Sequence, residues 1–146
     1  MDTRIQDHID IQQAISNYSL DCSTGGWDRV LALYLPHASW EIPHLGLKFT
    51  GHAEIHQALT GFFATMDYVL QHNAPAVIQI DGDRAQARSG IRECGKSAGQ
   101  AEGFEYFGIY ADALVRTAEG WKFERRVFEG IGTSLFGLVE QSTVVA

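Results

Sequence analysis

The sequence has few of the features that mark secreted or membrane proteins. Its two cysteines, Cys22 and Cys94, lie far apart and outside any C-x-x-C arrangement, so we expect reduced thiols rather than a disulfide framework or a zinc site. Long apolar runs are missing too. The first segment, MDTRIQDHIDIQQ, mixes charged residues with single isoleucines, which predicts neither a signal peptide nor a membrane span. We therefore expect a cytoplasmic protein with no membrane partner.

Positive charge is scarce. The chain has 11 Lys and Arg residues against 18 Asp and Glu residues, and its formal net charge is -7. Phosphate backbones would repel such a chain, so we expect no nucleic-acid partner. With 45% hydrophobic and 20% charged residues, the composition is that of an ordinary globular protein. A length of 146 residues predicts one domain, spanning residues 1–146.

Hydrophobic periodicity divides the chain into a helical first part and a strand-rich second part. Apolar residues at helical spacing predict a first helix around Ile11–Cys22, a second from Trp27 until Pro36 stops it, and a third around Ile55–Met66. Alternating patterns and short turns such as Asp81-Gly82-Asp83 predict hairpin-connected strands. Such turns leave no room for crossover helices, so the sequence predicts an α+β fold with helices on one face of an antiparallel sheet.

Two short motifs match ligand-binding patterns by their letters alone. Residues Gly90–Ser97 satisfy the phosphate-binding pattern G-x-x-x-x-G-K-S, but the Gly- and Ala-rich stretch that follows cannot begin the helix that such a loop needs. His52 and His56 lie one helical turn apart, but spacing implies no third metal ligand. We therefore expect no nucleotide, no metal and no other cofactor.

His72 is the strongest candidate for a working residue. Strand alternation places it on one face with Tyr68 and Leu70, and if that face lines a pocket, the imidazole could accept or return a proton. A strand histidine can also be hydrogen-bonded in the core or at a subunit contact. Asp21, three residues after Tyr18, is the candidate carboxylate that would orient the imidazole. Its alternative is a solvated carboxylate near a helix end.

Further polar and aromatic side chains could line the same pocket. They are Tyr18, Trp40, His44, Tyr106, Tyr110 and Arg126. Core or interface packing would also account for most of the aromatic residues, and a solvated turn would account for His44. Arg126 could instead pair with Glu124 or Asp112 on the sheet.

Four segments carry a resemblance that covers nearly the whole chain. They are IQQAISNYSLDCSTGGWD, PHASWEIPHLG followed by FTGHAEI, QHNAPAVIQIDGDRAQAR, and YADALVRTAEGWKFERR. Together they resemble the SnoaL-like branch of the NTF2-like superfamily, the branch of scytalone dehydratase and hexachlorocyclohexane dehydrochlorinase. The resemblance implies a cone-shaped α+β barrel, in which three helices pack on a strongly curved antiparallel or mixed sheet around a deep apolar cavity.

The resemblance also implies residue roles. In those two enzymes an Asp on the first helix and a His after the third form a proton-abstracting pair, and His72 occupies the His position. Arg126 stands at the offset from Trp121 at which the dehydrochlorinase uses an Arg. An ungapped count puts Ser23 at the Asp position, whereas a two-residue insertion would put Asp21 there. We take Asp21, because Ser23 lies off the apolar face of the helix.

These observations predict a cofactor-independent lyase or isomerase, most readily a dehydratase, that acts on a small hydrophobic molecule. His72 would remove a proton, Asp21 would orient it, and Tyr18 or Arg126 would stabilise developing negative charge. The alternative is a non-catalytic protein that binds a small molecule or serves as a scaffold. In either case the apolar sheet face away from the helices predicts a homodimer or homotrimer.

Overall fold

The computed structural model describes residues 3–139. The two ends of the predicted domain, residues 1–2 and 140–146, lie outside the described residues. Within the described part no helix is long and apolar enough to cross a membrane. The helices are α1 (Thr3–Thr24), α2 (Trp27–Ala32) and α3 (Gly51–Phe63), and the strands are β1 (Tyr34–Ile42), β2 (Leu47–Thr50), β3 (Met66–Asn73), β4 (Val77–Asp81), β5 (Arg84–Ser97), β6 (Glu102–Thr117) and β7 (Gly120–Gly137).

The strands form one curved mixed sheet, which confirms the predicted α+β class. Its order is β2-β1-β7-β6-β5-β3, and β4 also pairs with β5. All neighbours are antiparallel except β1 and β7, which run parallel with Trp40 opposite Arg126. A purely antiparallel sheet was the wrong expectation, because short turns fix only the pairing of consecutive strands. The pairing of β1 with β7 joins strands that are far apart in the chain.

The second helix is shorter than the sequence predicts. It ends at Ala32, and β1 begins at Tyr34, before the proline taken as a helix stop. Pro36 lies in an irregular stretch of β1 between Tyr34, which pairs with Phe123, and Ser39. Proline lacks the amide hydrogen that a strand ladder uses and is tolerated at such irregularities. Pro36 therefore marks a break within a strand.

The core joins one face of α1 to the sheet. The buried apolar residues of α1 recur at helical spacing, which is why this face packs inward. They meet buried residues of α3 and of the last two strands. The central members of this cluster are Ile11, Ile15, Tyr18, Cys22, Leu59, Leu114 and Phe123.

Candidate functional site

A cavity of about 480 Å³ lies against the sheet, and its wall comes from α1, α3 and five strands. The wall is mostly apolar and aromatic. It includes every residue that the sequence analysis proposed as a substrate contact except Arg126, namely Tyr18, Trp40, His44, Tyr106 and Tyr110. These five side chains lie together in one wall, and their role in binding a substrate stays a prediction.

Two polar side chains that the sequence analysis did not select enter the same wall from adjacent strands. Gln71 on β3 lies directly opposite Glu93 on β5, and both line the cavity. Opposite residues of an antiparallel pair point to the same face of a sheet. The Nε2 atom of Gln71 donates a hydrogen bond to Oε2 of Glu93 at 2.7 Å. The cavity therefore contains a carboxyl group held by an amide.

Glu93 is a partly buried carboxyl group in apolar surroundings. Burial raises the pKa of Glu93 above its ordinary value of 4.5, and the hydrogen bond from Gln71 opposes that shift. No lysine or arginine side chain of the described residues lines the cavity to pair with it. A carboxyl group with a raised pKa exchanges protons closer to neutral pH, which suits it to acid–base chemistry.

Helix α1 fixes the position of Gln71. Ser23 Oγ accepts a hydrogen bond from the backbone amide of Gln71 at 2.9 Å and donates one to the carbonyl of Ser19 at 2.7 Å. Ser19 Oγ in turn accepts a hydrogen bond from Nδ2 of Asn73 at 2.7 Å. Ser23, the position given by the ungapped count, is thus the α1 residue that binds the backbone of Gln71 beside the cavity.

His72 lies on the opposite face of β3 from Gln71. It is exposed and lines an open hollow on the outer surface of the sheet, together with its cross-strand neighbour Arg92. His72 does share a face with Tyr68 and Leu70, but those side chains are 55% and 46% exposed. The expectation that His72 faces the cavity is therefore wrong. Alternation shows which residues share a face, but not which face is inside.

Asp21 is also outside the cavity wall. It accepts a hydrogen bond from Nε of Arg29 at 2.8 Å, at the junction of α1 and α2. Within residues 3–139 His72 takes part in no ion pair. The predicted pair of His72 and Asp21 is not formed, because α1 presents Ser23 rather than Asp21 to β3.

Arg126 is fully buried behind the cavity wall. Its Nε and Nη2 atoms donate to the two carboxylate oxygens of Asp112 at 2.8 and 3.1 Å, which is one of the two pairings considered from the sequence. Its guanidinium lies 4.2 Å from the ring centroid of Tyr18 and 3.8 Å from that of Tyr110. Both rings line the cavity, whereas Arg126 does not. Arg126 therefore lies in the core behind the wall and contacts two of its rings.

Two buried phenols complete the polar side of the cavity. Burial raises the pKa of Tyr18 well above its ordinary value and raises that of Tyr110 as well. Both hydroxyl groups therefore keep their protons at neutral pH and can act as hydrogen-bond donors. Tyr18 also accepts a hydrogen bond from the hydroxyl of Tyr34 at 3.3 Å.

The motifs that were set aside at the sequence level have ordinary places in the fold. Gly90–Ser97 lies within β5 and pairs with both β3 and β6, so this segment is a strand and not a phosphate-binding loop. His52 Nε2 lies 3.0 Å from the carbonyl oxygen of Tyr34. Cys22 and Cys94 are free thiols. In residues 3–139 no three His, Cys, Asp or Glu side chains group in a way that could hold a metal ion.

Comparisons with known proteins agree with this architecture. The profile of the SnoaL-like domain matches residues 3–127. An uncharacterized protein of Mycobacterium tuberculosis is 27% identical over 124 residues, which cover 84% of each chain. A Novosphingobium aromaticivorans protein provisionally named a scytalone dehydratase superposes with a TM-score of 0.85 at 20% identity, covering 94% of this chain and 93% of its own.

A hexachlorocyclohexane dehydrochlorinase of Novosphingobium barchaimii has the same architecture. It superposes with a TM-score of 0.84 at 12% identity, covering 94% of this chain and 97% of its own. At these identities, the two structural likenesses show a shared fold.

Proposed function

Because the chain belongs to the SnoaL-like domain family, we propose that it is a cofactor-independent lyase or isomerase that moves a proton on a small hydrophobic molecule, with Glu93 as its acid–base group. The observation that carries this proposal is the position of Glu93. It is a desolvated carboxyl group, hydrogen-bonded by Gln71, in the wall of an aromatic cavity. A carboxyl group with a raised pKa in a cleft is a candidate for catalysis on physical grounds.

The neighbours of Glu93 suit proton transfer at a carbon or oxygen atom. Its ionised form can abstract a proton, and its protonated form can return one or protonate a leaving hydroxyl group. The hydroxyl groups of Tyr18 and Tyr110 can donate hydrogen bonds to negative charge that develops on a substrate oxygen. Gln71 holds the carboxyl group in one orientation.

Elimination is the reaction class that we favour. The structurally similar proteins described above carry the names of a dehydratase and a dehydrochlorinase, and both names denote elimination. We propose that Glu93 takes the acid–base role that the sequence analysis gave to His72. We further propose that Tyr18 keeps its predicted role of stabilising developing negative charge.

Hydrogen exchange at a carbon acid tests this role with a simple ketone in place of the natural substrate. We expect the wild-type protein to exchange the α-protons of 2-tetralone, a small apolar ketone, with deuterated water, as observed by proton NMR. Removing a general base typically slows proton transfer by about 10²-fold or more, so Glu93→Gln should lose the catalysed exchange.

Two controls separate Glu93 from the outer face of the sheet. Glu105→Gln makes the same chemical change in the hollow that His72 lines, where Glu105 accepts a hydrogen bond from Arg92 at 2.6 Å. His72→Ala tests the residue chosen from the sequence. Both should exchange within about twofold of wild type, since surface changes of this kind have small effects. Loss of exchange in His72→Ala with full activity in Glu93→Gln would contradict the proposal.

A non-catalytic binding protein is the second candidate, and one observation favours it. The His72–Asp21 pair expected for a dehydratase is not formed, whereas the cavity itself is present. Such a protein would bind apolar molecules in the wild-type and Glu93→Gln forms alike and would catalyse exchange in neither.

A further inference from the structure

Gln71 is a buried amide whose carbonyl oxygen has no hydrogen-bond partner among the described residues. Its side chain lines the cavity, and the residue is only 7% exposed. The Nε2 atom donates to Glu93 at 2.7 Å, while the carbonyl atom Oε1 is buried and has no hydrogen-bond partner. Buried polar atoms in folded proteins nearly always have a partner, because leaving one unpaired costs stability. The missing partner is therefore expected from a molecule in the cavity.

The surroundings of Gln71 prevent the side chain from finding a partner by moving away. Its backbone amide is held by Ser23 Oγ at 2.9 Å, and its own Nε2 is held by Glu93. The strand on which it lies pairs with β5 on both sides of this position, with Leu70 opposite Cys94 and His72 opposite Arg92. Oε1 is thus a preorganised acceptor in the cavity wall.

We propose that the ligand of this cavity is an uncharged, largely apolar molecule with a hydroxyl group that donates a hydrogen bond to Oε1 of Gln71. This inference deepens the proposed function, on which it rests, by naming the class of its substrate. A hydroxyl group bound to Gln71 also lies beside Glu93, the group proposed to transfer the proton. Gln71 is then a binding residue that brings the reactive end of the ligand to Glu93.

The charges around the cavity favour an uncharged ligand. In the described part of the chain no lysine or arginine lines the wall, and the nearby Arg126 is paired with Asp112, so a carboxylate or phosphate would find no permanently charged partner there and only one ionisable base, the histidine His44. A cationic ligand would have to give up its hydration in an apolar cavity. Burial already raises the pKa of Glu93, the carboxyl group that would have to pair with it.

Binding of two matched naphthalenes tests the hydroxyl contact. The probes are 2-naphthol, which has a hydroxyl donor, and 2-methoxynaphthalene, in which a methyl group replaces that proton. One hydrogen bond to a buried acceptor is worth about a three- to tenfold change in affinity. We therefore expect the wild-type protein to bind 2-naphthol about three- to tenfold more tightly, as measured by calorimetry at neutral pH.

Variants of Gln71 assign the preference to Oε1. Gln71→Leu and Gln71→Met both remove the carbonyl oxygen, and the second keeps the unbranched shape if the first fails to fold. Either should bring the affinity ratio close to one. Gln79→Leu, the same change at an exposed position of β4 outside the cavity wall, should leave the ratio unchanged.

Four results would overturn the inference. They are no binding of 2-naphthol to the wild type, equal or tighter binding of the methyl ether, an unchanged ratio in the folded Gln71 variants, and tighter binding of the cationic 2-naphthylmethylamine than of 2-naphthol.

The Glu93→Gln variant separates this inference from the proposed function. A glutamine at position 93 can still accept the hydrogen bond from Gln71, so the preference for 2-naphthol should persist while proton exchange is lost. Normal exchange in Glu93→Gln would reject the proposed function and leave the binding preference intact. Loss of the preference in that variant would instead count against the Gln71 contact.

Discussion

At the scale of single residues, the buried ion pair of Arg126 and Asp112 sets the strongest constraint. Both side chains are fully buried, and the guanidinium is enclosed by aromatic rings, two of which line the cavity. Burying two charges costs hydration energy that only close pairing and hydrogen bonding offset. The pair therefore lies directly against two rings of the aromatic wall, and we expect it to hold them in place.

Removing one member of this pair should be severe. We predict that Arg126→Met lowers the free energy of unfolding by about 3–5 kcal/mol, because Asp112 is left buried and unpaired. Urea denaturation measures this change. The double variant Arg126→Met with Asp112→Leu should recover most of the loss, since apolar replacements of both partners are often close to neutral. A single variant within about 1 kcal/mol of wild type would contradict this prediction.

At the scale of elements, an ion pair ties the start of α1 to the hairpin of β6 and β7. Arg116 donates to both carboxylate oxygens of Asp7, at 2.5 and 2.8 Å, and the indole of Trp121 donates to the same carboxylate at 3.1 Å. The hydrogen bond from Arg116 is the main reason that the pKa of Asp7 is lowered from 3.8 to about 2.

This contact should give the fold a defined acid sensitivity. A lowered pKa in the folded state means that the stabilisation is complete above the ordinary pKa of 3.8 and is lost as the pH falls toward about 2. Asp7→Asn should therefore be less stable than wild type at neutral pH, and the two should converge in acid. Urea midpoints measured across this pH range check the prediction. A constant difference between the two proteins would contradict it.

The sequence predicts the elements better than it predicts their orientation. Helical spacing located α1 and α3, and alternation correctly placed His72 with Tyr68 and Leu70. Which face of β3 points inward is decided by the bonds from Ser23 and by the pairing of Gln71 with Glu93, and both join distant parts of the chain. Local patterns do not contain that information.

One signal for Glu93 was present in the sequence. On β5 the residues Ala85, Ala87 and Ile91 are buried. Strand alternation places Glu93 on the same inward face as these three residues. The alternating small and apolar residues could have pointed to it. Gln71 carries no such signal, because both faces of β3 contain apolar residues. Val69 shares the face of Gln71, whereas Leu70 lies on the opposite face.

At the scale of the whole molecule, the outer face of the sheet exposes several large apolar side chains to solvent. Leu70, Val77 and Ile131 are 46%, 72% and 65% exposed. Ile131 lines the same outer hollow as His72. Apolar surface of this kind commonly pairs with another subunit. The predicted homodimer or homotrimer would cover it.

Light scattering after size-exclusion chromatography tests this prediction. We expect a mass of two or three chains at micromolar concentration, and a shift toward the monomer in the double variant Leu70→Glu with Ile131→Glu, because buried unpaired carboxylates oppose association. Thr24→Glu, at the exposed end of α1, should not change the mass. A monomeric wild-type protein would contradict the prediction.

The most direct test of the central claim, that Glu93 is a desolvated acid of the cavity, is a carbon NMR titration of its side-chain carboxyl group. We predict a midpoint above 4.5 in the wild type, because burial disfavours the charged form. The midpoint should be higher still in Gln71→Leu, which lacks the opposing hydrogen bond. If Glu93 acts as a base, catalysed exchange should fall as the pH drops through the same midpoint. A midpoint at or below 4.5 would indicate a solvated carboxylate and would contradict the claim.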